Sequence, residues 1–262
     1  MKSAKKHWAR VFPPLIPFAV AVAGLEAVVR LGWVPDYIVP APSDVVRSLS
    51  EDRSELLWAM IHTLFCAFLG LLMSFVSGLG AALFLSWSDF ARRAFYPYAV
   101  FFQTVPVIAI APLLVIWFGF GQPTVIASSF ICSVFPVIAT TLVGLRSTDP
   151  ALIDLFRLYS ASRWRVLWSC RLPFALPHLF SGLRIAAGLA VIGAIVGEFI
   201  GGGGLGSVVD GARSQQRIDK VFAAVLASSI LGLVLVGGVN ALARIALGRW
   251  HTSEQSEQER KS

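Results

Sequence analysis

The sequence predicts an all-α, polytopic membrane protein, and three observations carry that reading. Hydrophobic residues make up 56% of the 262 positions, with a mean hydropathy of +0.73, well above the ~45–50% apolar content of soluble domains. No charged residue occurs from Ala94 to Leu145. As one helix rising ~1.5 Å per residue, that stretch would be over twice as long as a ~30 Å hydrocarbon core requires. The turn sequence Gly119-Phe-Gly121-Gln-Pro123 divides it, so it reads as two spans joined tightly.

Apolar runs of ~20 residues place six transmembrane helices at 11–31, 58–86, 95–116, 124–145, 174–199 and 221–246. Residues 1–10 read as an N-terminal tail, 11–57 as the first span and an outer connection, 58–248 as the core and 249–262 as a polar, disordered tail. A net charge of +7 would indicate nucleic acid in a soluble chain. Position decides otherwise. With the N-terminus inside, 15 Lys and Arg fall on inner segments and 6 on outer ones, Arg184 alone lying within a span. The positive-inside rule therefore places both termini and the 146–172 loop in the cytoplasm.

The start imitates a secretory signal, with Lys2 to Arg10 preceding an apolar run that ends Ala21-Val-Ala23. The run is long enough to span, and retaining it preserves the charge asymmetry, so we read it as a membrane helix. The outer connection, 32–57, is rich in proline and acid, and Ser43 is positioned to cap a short amphipathic helix there. Spans two and five carry many small residues, from Gly70 to Gly80 and from Gly182 to Gly197. Such faces fit either a tight bundle or a dimer seam. Cys66, Cys132 and Cys170 are widely separated in or beside apolar segments and read as packing residues, with no zinc spacing.

Residues 146–177 are the most informative segment. Asp149 precedes Pro150, a helix start in which the missing N–H costs nothing. Leu152, Leu155, Phe156 and Tyr159 follow at i, i+3, i+4, i+7. Ser160-Ala-Ser162 breaks the helix, Ser162 is placed to cap a second one over Arg163–Cys170, and Leu172-Pro173 is the expected terminator. A helix resting on the inner leaflet, arginines toward lipid phosphates, would share this pattern.

Asp154-Leu-Phe-Arg-Leu-Tyr-Ser160, followed after nine residues by Cys170-Arg-Leu172-Pro173, resembles the Glu-Ala-Ala loop of inner-membrane permeases of ABC importers. The family pattern is Glu-Ala-Ala, three residues, Gly, nine residues, Ile-x-Leu-Pro. Here Asp154 stands for Glu, Leu155 and Phe156 for the alanines, Ser160 for Gly and Cys170 for Ile. The likeness extends to Gln103-Thr-Val-Pro106, Ala111-Pro112, Ile116-Trp-Phe-Gly-Phe-Gly121, Phe135-Pro136, Gly182-Leu-Arg184 and Gly197-Glu-Phe-Ile-Gly201. Together these resemble the nitrate/sulfonate/taurine branch, close to permeases for pyrimidine thiamine precursors and riboflavin, over roughly residues 55–250.

The resemblance implies the type I ABC importer permease fold, with 146–172 as a coupling-helix loop presenting Asp154, Leu155, Phe156, Ser160, Ala161, Arg163, Leu172 and Pro173 to an ATPase. It also implies two copies of that ATPase, a periplasmic or lipid-anchored solute-binding protein and a second copy of this chain in a bacterial inner membrane. No cofactor is expected in the chain itself, ATP and Mg²⁺ being bound by the partner ATPase. That division agrees with the lack of any G-x-x-x-x-G-K-[ST] sequence. The match to G-x-G-x-x-G at Gly201–Gly206 follows a span rather than a strand and is no nucleotide site.

Candidates for the solute path are Gln103, Thr104, Pro106, Arg184 and Glu198. Gln and Thr beside a helix-breaking proline suit a cavity, since polar groups are costly against lipid. Arg184, ~16 Å along a helix from Pro173, should face protein or water, either pairing with carbonyls near the inner mouth or lining the path. Glu198 either orients the glycine-rich turn after it or meets solute. His62 and His178 read as interfacial. The eight tryptophans fall mostly near span ends, as an interfacial belt would place them. An ATP-independent secondary transporter or channel would want midplane acids or inverted repeats, and an embedded enzyme a convergent catalytic cluster. The sequence offers neither.

Overall fold

The computed structural model describes residues 2–248, excepting the side chains of residues 2–15 and of Phe102. The expected polar tail over 249–262 lies outside the described residues. Among the described residues every regular element is helical: α1 (Lys2–Arg30), α2 (Pro42–Glu51), α3 (Arg53–Trp87), α4 (Asp89–Thr104), α5 (Val107–Phe118), α6 (Gln122–Arg146), α7 (Pro150–Leu158), α8 (Arg163–Val166), a π turn (Leu167–Arg171), α9 (Leu172–Gly201), α10 (Gly204–Ser214) and α11 (Ile218–Leu247).

Four helical stretches are long and apolar enough to cross a bilayer among the described residues: Arg53–Trp87, Gln122–Arg146, Arg163–Gly201 and Ile218–Leu247. They contain four of the six expected spans. The expected 95–116 helix is interrupted. Pro106 lacks an N–H and disfavours helical backbone at the residue before it. Val105 is accordingly extended (φ −72°, ψ 121°), α4 stops at Thr104 and α5 restarts at Val107. At 12 residues, α5 is ~18 Å long, short of a ~30 Å core.

Helices α3, α6 and α9 form the core. Its apolar centre includes Cys66, Val125, Val137, Ala186, Ala190 and Ala194. Serine hydroxyls stitch the α6 seams. Ser128 Oγ donates to Gly193 O (2.7 Å), Ser129 Oγ to Ala190 O (2.9 Å), and Ser74 and Ser133 share a 2.7 Å hydrogen bond. A Cβ at Gly193 would stand 2.7 Å from Ser128 O, and one at Gly70 would collide with the Ser129 side chain. At these positions the small residues serve close packing onto α6, where dispersion drives association. Gly80 and Gly188 face open space instead.

Two local expectations are corrected. Ser43 does not cap α2. Ala41 occupies the cap position and Pro42 the first turn, while the Ser43 hydroxyl donates to Glu26 Oε1 (2.7 Å) and accepts from Arg30 (2.7 Å), tying α2 to α1. Leu172-Pro173 does not end the second loop helix either. The chain passes from α8 through the π turn directly into α9. An α-helix at Pro173 would need an N–H the ring lacks and would press the ring against the carbonyl four residues back. Here Pro173 falls in the first turn of α9, directly after a π turn closed by Leu172 N donating to Leu167 O.

Candidate coupling loop and solute path

The loop between α6 and α9 is built by its caps. The Asp149 carboxylate accepts from Ala151 N (2.8 Å), starting α7 with Pro150 in its first turn. Ser162 Oγ accepts from Arg165 N (3.3 Å) and starts α8. Between them Ser160 adopts φ +52°, a left-handed conformation that L-residues rarely take outside glycine, asparagine and aspartate. Ser160 N donates to Arg157 O (2.8 Å) and Ala161 N to Phe156 O (3.0 Å), so the bend is closed by the backbone.

The expected apolar stripe divides in two. Leu152, Ile153 and Phe156 are half-buried, whereas Leu155, Leu158 and Tyr159 are exposed, Leu158 by 83% and Tyr159 by 80%. Asp154 is exposed and pairs with Arg157 (3.0 Å). Leu172 and Pro173 are half-buried at the foot of α9. The Trp164 indole meets Trp87 edge-on, centroids 5.2 Å apart, joining α8 to the end of α3. Nearby, Asp89 bridges Arg92 (3.2 Å) and Arg146 (3.1 Å), linking the α4 start to the α6 end. Those guanidinium groups, Arg146 first, hold the Asp89 carboxyl below its usual range.

The solute-path candidates do not meet in the folded chain. Gln103 and Thr104 stand exposed at the C-terminal end of α4, and Thr104 Oγ1 bonds back to Phe101 O (2.7 Å). Pro106 sits at the break before α5. Arg184 lies on α9, where its Nε donates to Asn240 Oδ1 on α11 (2.6 Å). With Asn240 and Arg244 it lines an open concavity of about 550 Å³. Asn240 carries no motif of its own, and only its place one helix away reveals it as the partner of Arg184.

Glu198, 14 residues further along α9 and so ~21 Å away, is 1% exposed. Its carboxylate accepts from Thr63 Oγ1 (2.8 Å) and Gly206 N (2.9 Å) and lies 3.3 Å from His62 Nδ1. Thr63 Oγ1 in turn accepts from Leu205 N (2.9 Å). A side chain at Gly204, already at φ +63°, would overlap the Glu198 carboxylate. The glycine-rich turn thus folds around a buried acid. Sequence reasoning found Glu198 but not Thr63, whose role arises across 135 residues.

The same end holds an ionic cluster. Asp52 takes a forked pair of bonds from Arg217 (3.0 and 2.7 Å), Asp219 joins Arg217 (3.2 Å), and Lys220 bonds Glu55 (2.6 Å). The bidentate Arg217 contact pulls the Asp52 carboxyl down to about 2.

The family profile for the binding-protein-dependent transport system inner membrane component matches residues 58–246. A probable ABC transporter permease protein of Haemophilus influenzae is 41% identical over 235 residues, covering 89% of this chain and 96% of its own. The formylaminopyrimidine transport permease protein ThiX of Halalkalibacterium halodurans is 35% identical, with 89% and 94% covered. The riboflavin transport system permease protein RibX of Chloroflexus aurantiacus is 32% identical, with 87% and 86% covered. A chain of the inward-facing MetNI methionine ABC transporter superimposes with a TM-score of 0.64 at 19% identity, covering 72% of this chain and 95% of that one, a likeness of fold. With the profile spanning most of the chain and relatives matched nearly end to end, this protein belongs to the binding-protein-dependent transport system inner membrane component family and is a permease component of the ABC transporter type.

Proposed function

We propose that this chain forms the solute pathway of an ATP-driven importer as a homodimer, served by two ATPase subunits and a solute-binding protein. ATPase closure would press on α7 and α8 and tilt the spans between inward- and outward-open states. Such a push shifts the equilibrium only if the two states bind the ATPases differently. In this reading six segments span the inner membrane, α4 and α5 together forming one broken span, and both termini are cytoplasmic. The solute is a small organic molecule of the pyrimidine or riboflavin-precursor kind, or a sulfonate, taurine or nitrate. The relatives named for formylaminopyrimidine and riboflavin favour the former.

The observation that carries the reading is the loop itself: a helix capped at Asp149, a backbone-closed bend at Ser160, and an outward face of Leu155, Leu158 and Tyr159 left exposed. A connector needs none of this. Asp154→Lys tests it, by placing a cation where the family carries an acid. Membrane levels should be normal, ATPase co-purification poor and ATP-dependent uptake lost, while a cysteine at Ser147 is labelled only from the cytoplasm. Wild-type co-purification, or labelling of Ser147 only from outside, would overturn the assignment.

A further inference from the structure

The loop has a second face, and its chemistry differs from the first. Arg157, Arg163 and Arg171 line a cavity of about 380 Å³ beneath the bend, together with Ser86, Trp87 and Leu167, and no carboxylate lines it. Arg157 is paired with Asp154 outside the cavity. Arg163 and Arg171 have no ionic partner among the described residues, and Arg171 Nε is buried with no acceptor. A buried guanidinium N–H without an acceptor is a costly arrangement that proteins rarely keep unless something supplies one. Ser86 Oγ donates to Leu83 O (2.8 Å), so the arginines are the donors this cavity offers. Two guanidiniums without an ionic partner, beside a third arginine in a cavity lined by no acid, call for an anion, and their planar forks match phosphate oxygens.

We propose that this cavity binds the phosphate of an anionic phospholipid headgroup from the inner leaflet. Two features favour a lipid over free phosphate. The half-exposed indoles of Trp87 and Trp164, stacked edge-on at 5.2 Å, mark the level at which amphipathic rings sit in a membrane interface. The buried side chains of Val166 and Leu167 give the cavity an apolar wall suited to glycerol and the first acyl carbons. Basic pockets on the cytoplasmic side of membrane helices take such headgroups. The ATPase is not the natural occupant. Ile153 and Arg157 line the cavity, while Leu155 and Leu158 project from roughly the opposite side of α7. A bound headgroup would satisfy Arg171 and prop α7 against α8, making the loop's stiffness depend on anionic lipid.

The choice of inner leaflet rests on the cytoplasmic placement of the loop proposed above, so the test measures binding on the permease alone. The purified full chain in a maltoside detergent is titrated with dioleoylphosphatidylglycerol, dioleoylphosphatidylcholine or inorganic phosphate and followed by native mass spectrometry. Saturable phosphatidylglycerol binding is expected, with phosphatidylcholine and inorganic phosphate each about tenfold weaker or more. Arg171→Gln and the exposed Arg163→Gln should each weaken phosphatidylglycerol binding about tenfold, and Arg213→Gln, at the other end of the molecule, should not. Retained melting behaviour in Arg163→Gln guards against simple misfolding of the buried variant. Equal affinity for the two lipids, or binding unchanged in both variants, overturns the site. Phosphate binding as tightly as phosphatidylglycerol overturns the lipid source. Loss of ATPase co-purification in both variants with lipid binding unchanged assigns the arginines to the protein partner instead. Wild-type lipid binding without any ATPase capture sinks the coupling reading and leaves this site standing.

Discussion

The two ends of α9 are held by opposite means. At its C-terminal end, Glu198 is buried and saturated by Thr63, His62 and Gly206, and the Asp52–Arg217 fork ties α3 to α11 close by. At its N-terminal end the chain passes through a π turn and a left-handed Ser160, over a cavity lined by three arginines. Buried, fully used polar groups specify one arrangement and make departures expensive. Backbone-closed bends with exposed side chains cost little to reorient. In the proposed transport cycle the contrast assigns the glycine-rich end as the fixed point and the loop end as the part that is pushed.

The largest effect should come from Glu198→Leu. It removes the acceptor of Gly206 N and leaves Thr63 Oγ1 only Ala59 O, while burying an apolar group among donors. At about 1–3 kcal/mol for each buried group left unsatisfied, the melting temperature of the purified protein should fall by several degrees or more. Glu198→Gln, which keeps the shape, should fall less. Equal melting of Glu198→Leu and the wild type would mean the glycine end is not the anchor.

Next in size is the bend. Ser160→Trp should misdirect α7 against α8 and abolish ATPase capture with normal insertion. Ser160→Gly, which accepts φ +52° without a Cβ clash, should raise loop stability by about 1 kcal/mol and slow proteolysis of the loop. Faster cleavage of Ser160→Gly than of the wild type would show that the bend does not carry the strain its dihedral implies.

A smaller effect follows from Asp52. Its carboxyl titrates near 2 in the folded protein, against 3.8 ordinarily, because Arg217 favours the charged form. The depressed value means this stabilisation is fully present above about pH 4 and is lost as pH falls toward 2. Thermal melting across that window should decline less steeply in Asp52→Asn, which should also melt lower than the wild type at pH 6. Parallel pH profiles for the two proteins would remove the ionic tie between α3 and α11 from the rigid end.

The smallest effect on stability should come from Gln103→Leu, since Gln103 is exposed at the end of α4. If it faces the path in the assembled dimer, uptake should change while melting and ATPase capture do not. Unchanged uptake across bulky substitutions at Gln103 and Thr104 would return that face of α4 to packing.

Local chemistry made much of this legible beforehand. Asp149 and Ser162 cap the helices they were expected to cap, because a cap depends on neighbours two or three residues away. Ser43 failed the same logic. Glu26 and Arg30, 17 and 13 residues off, captured its hydroxyl, and no local pattern announces such competitors. The four long membrane helices were visible for a similarly local reason, since a run of apolar residues is a property of the run. The break at Val105 was marked by Pro106, yet hydropathy alone carries straight through it.

By itself, then, the sequence determined the all-helical membrane class, the capped loop and its spacing, and the family those motifs resemble, because each depends on periodicity, caps or residue order along a short stretch. Tertiary structure alone decided which polar groups in the spans are partnered. Thr63 and Leu205 meet across 142 positions, Arg184 and Asn240 across 56, and the arginines of the loop converge over one cavity. The physical reason is that a buried hydrogen bond needs both partners placed within a few tenths of an ångström, and helix packing, not sequence order, sets that distance.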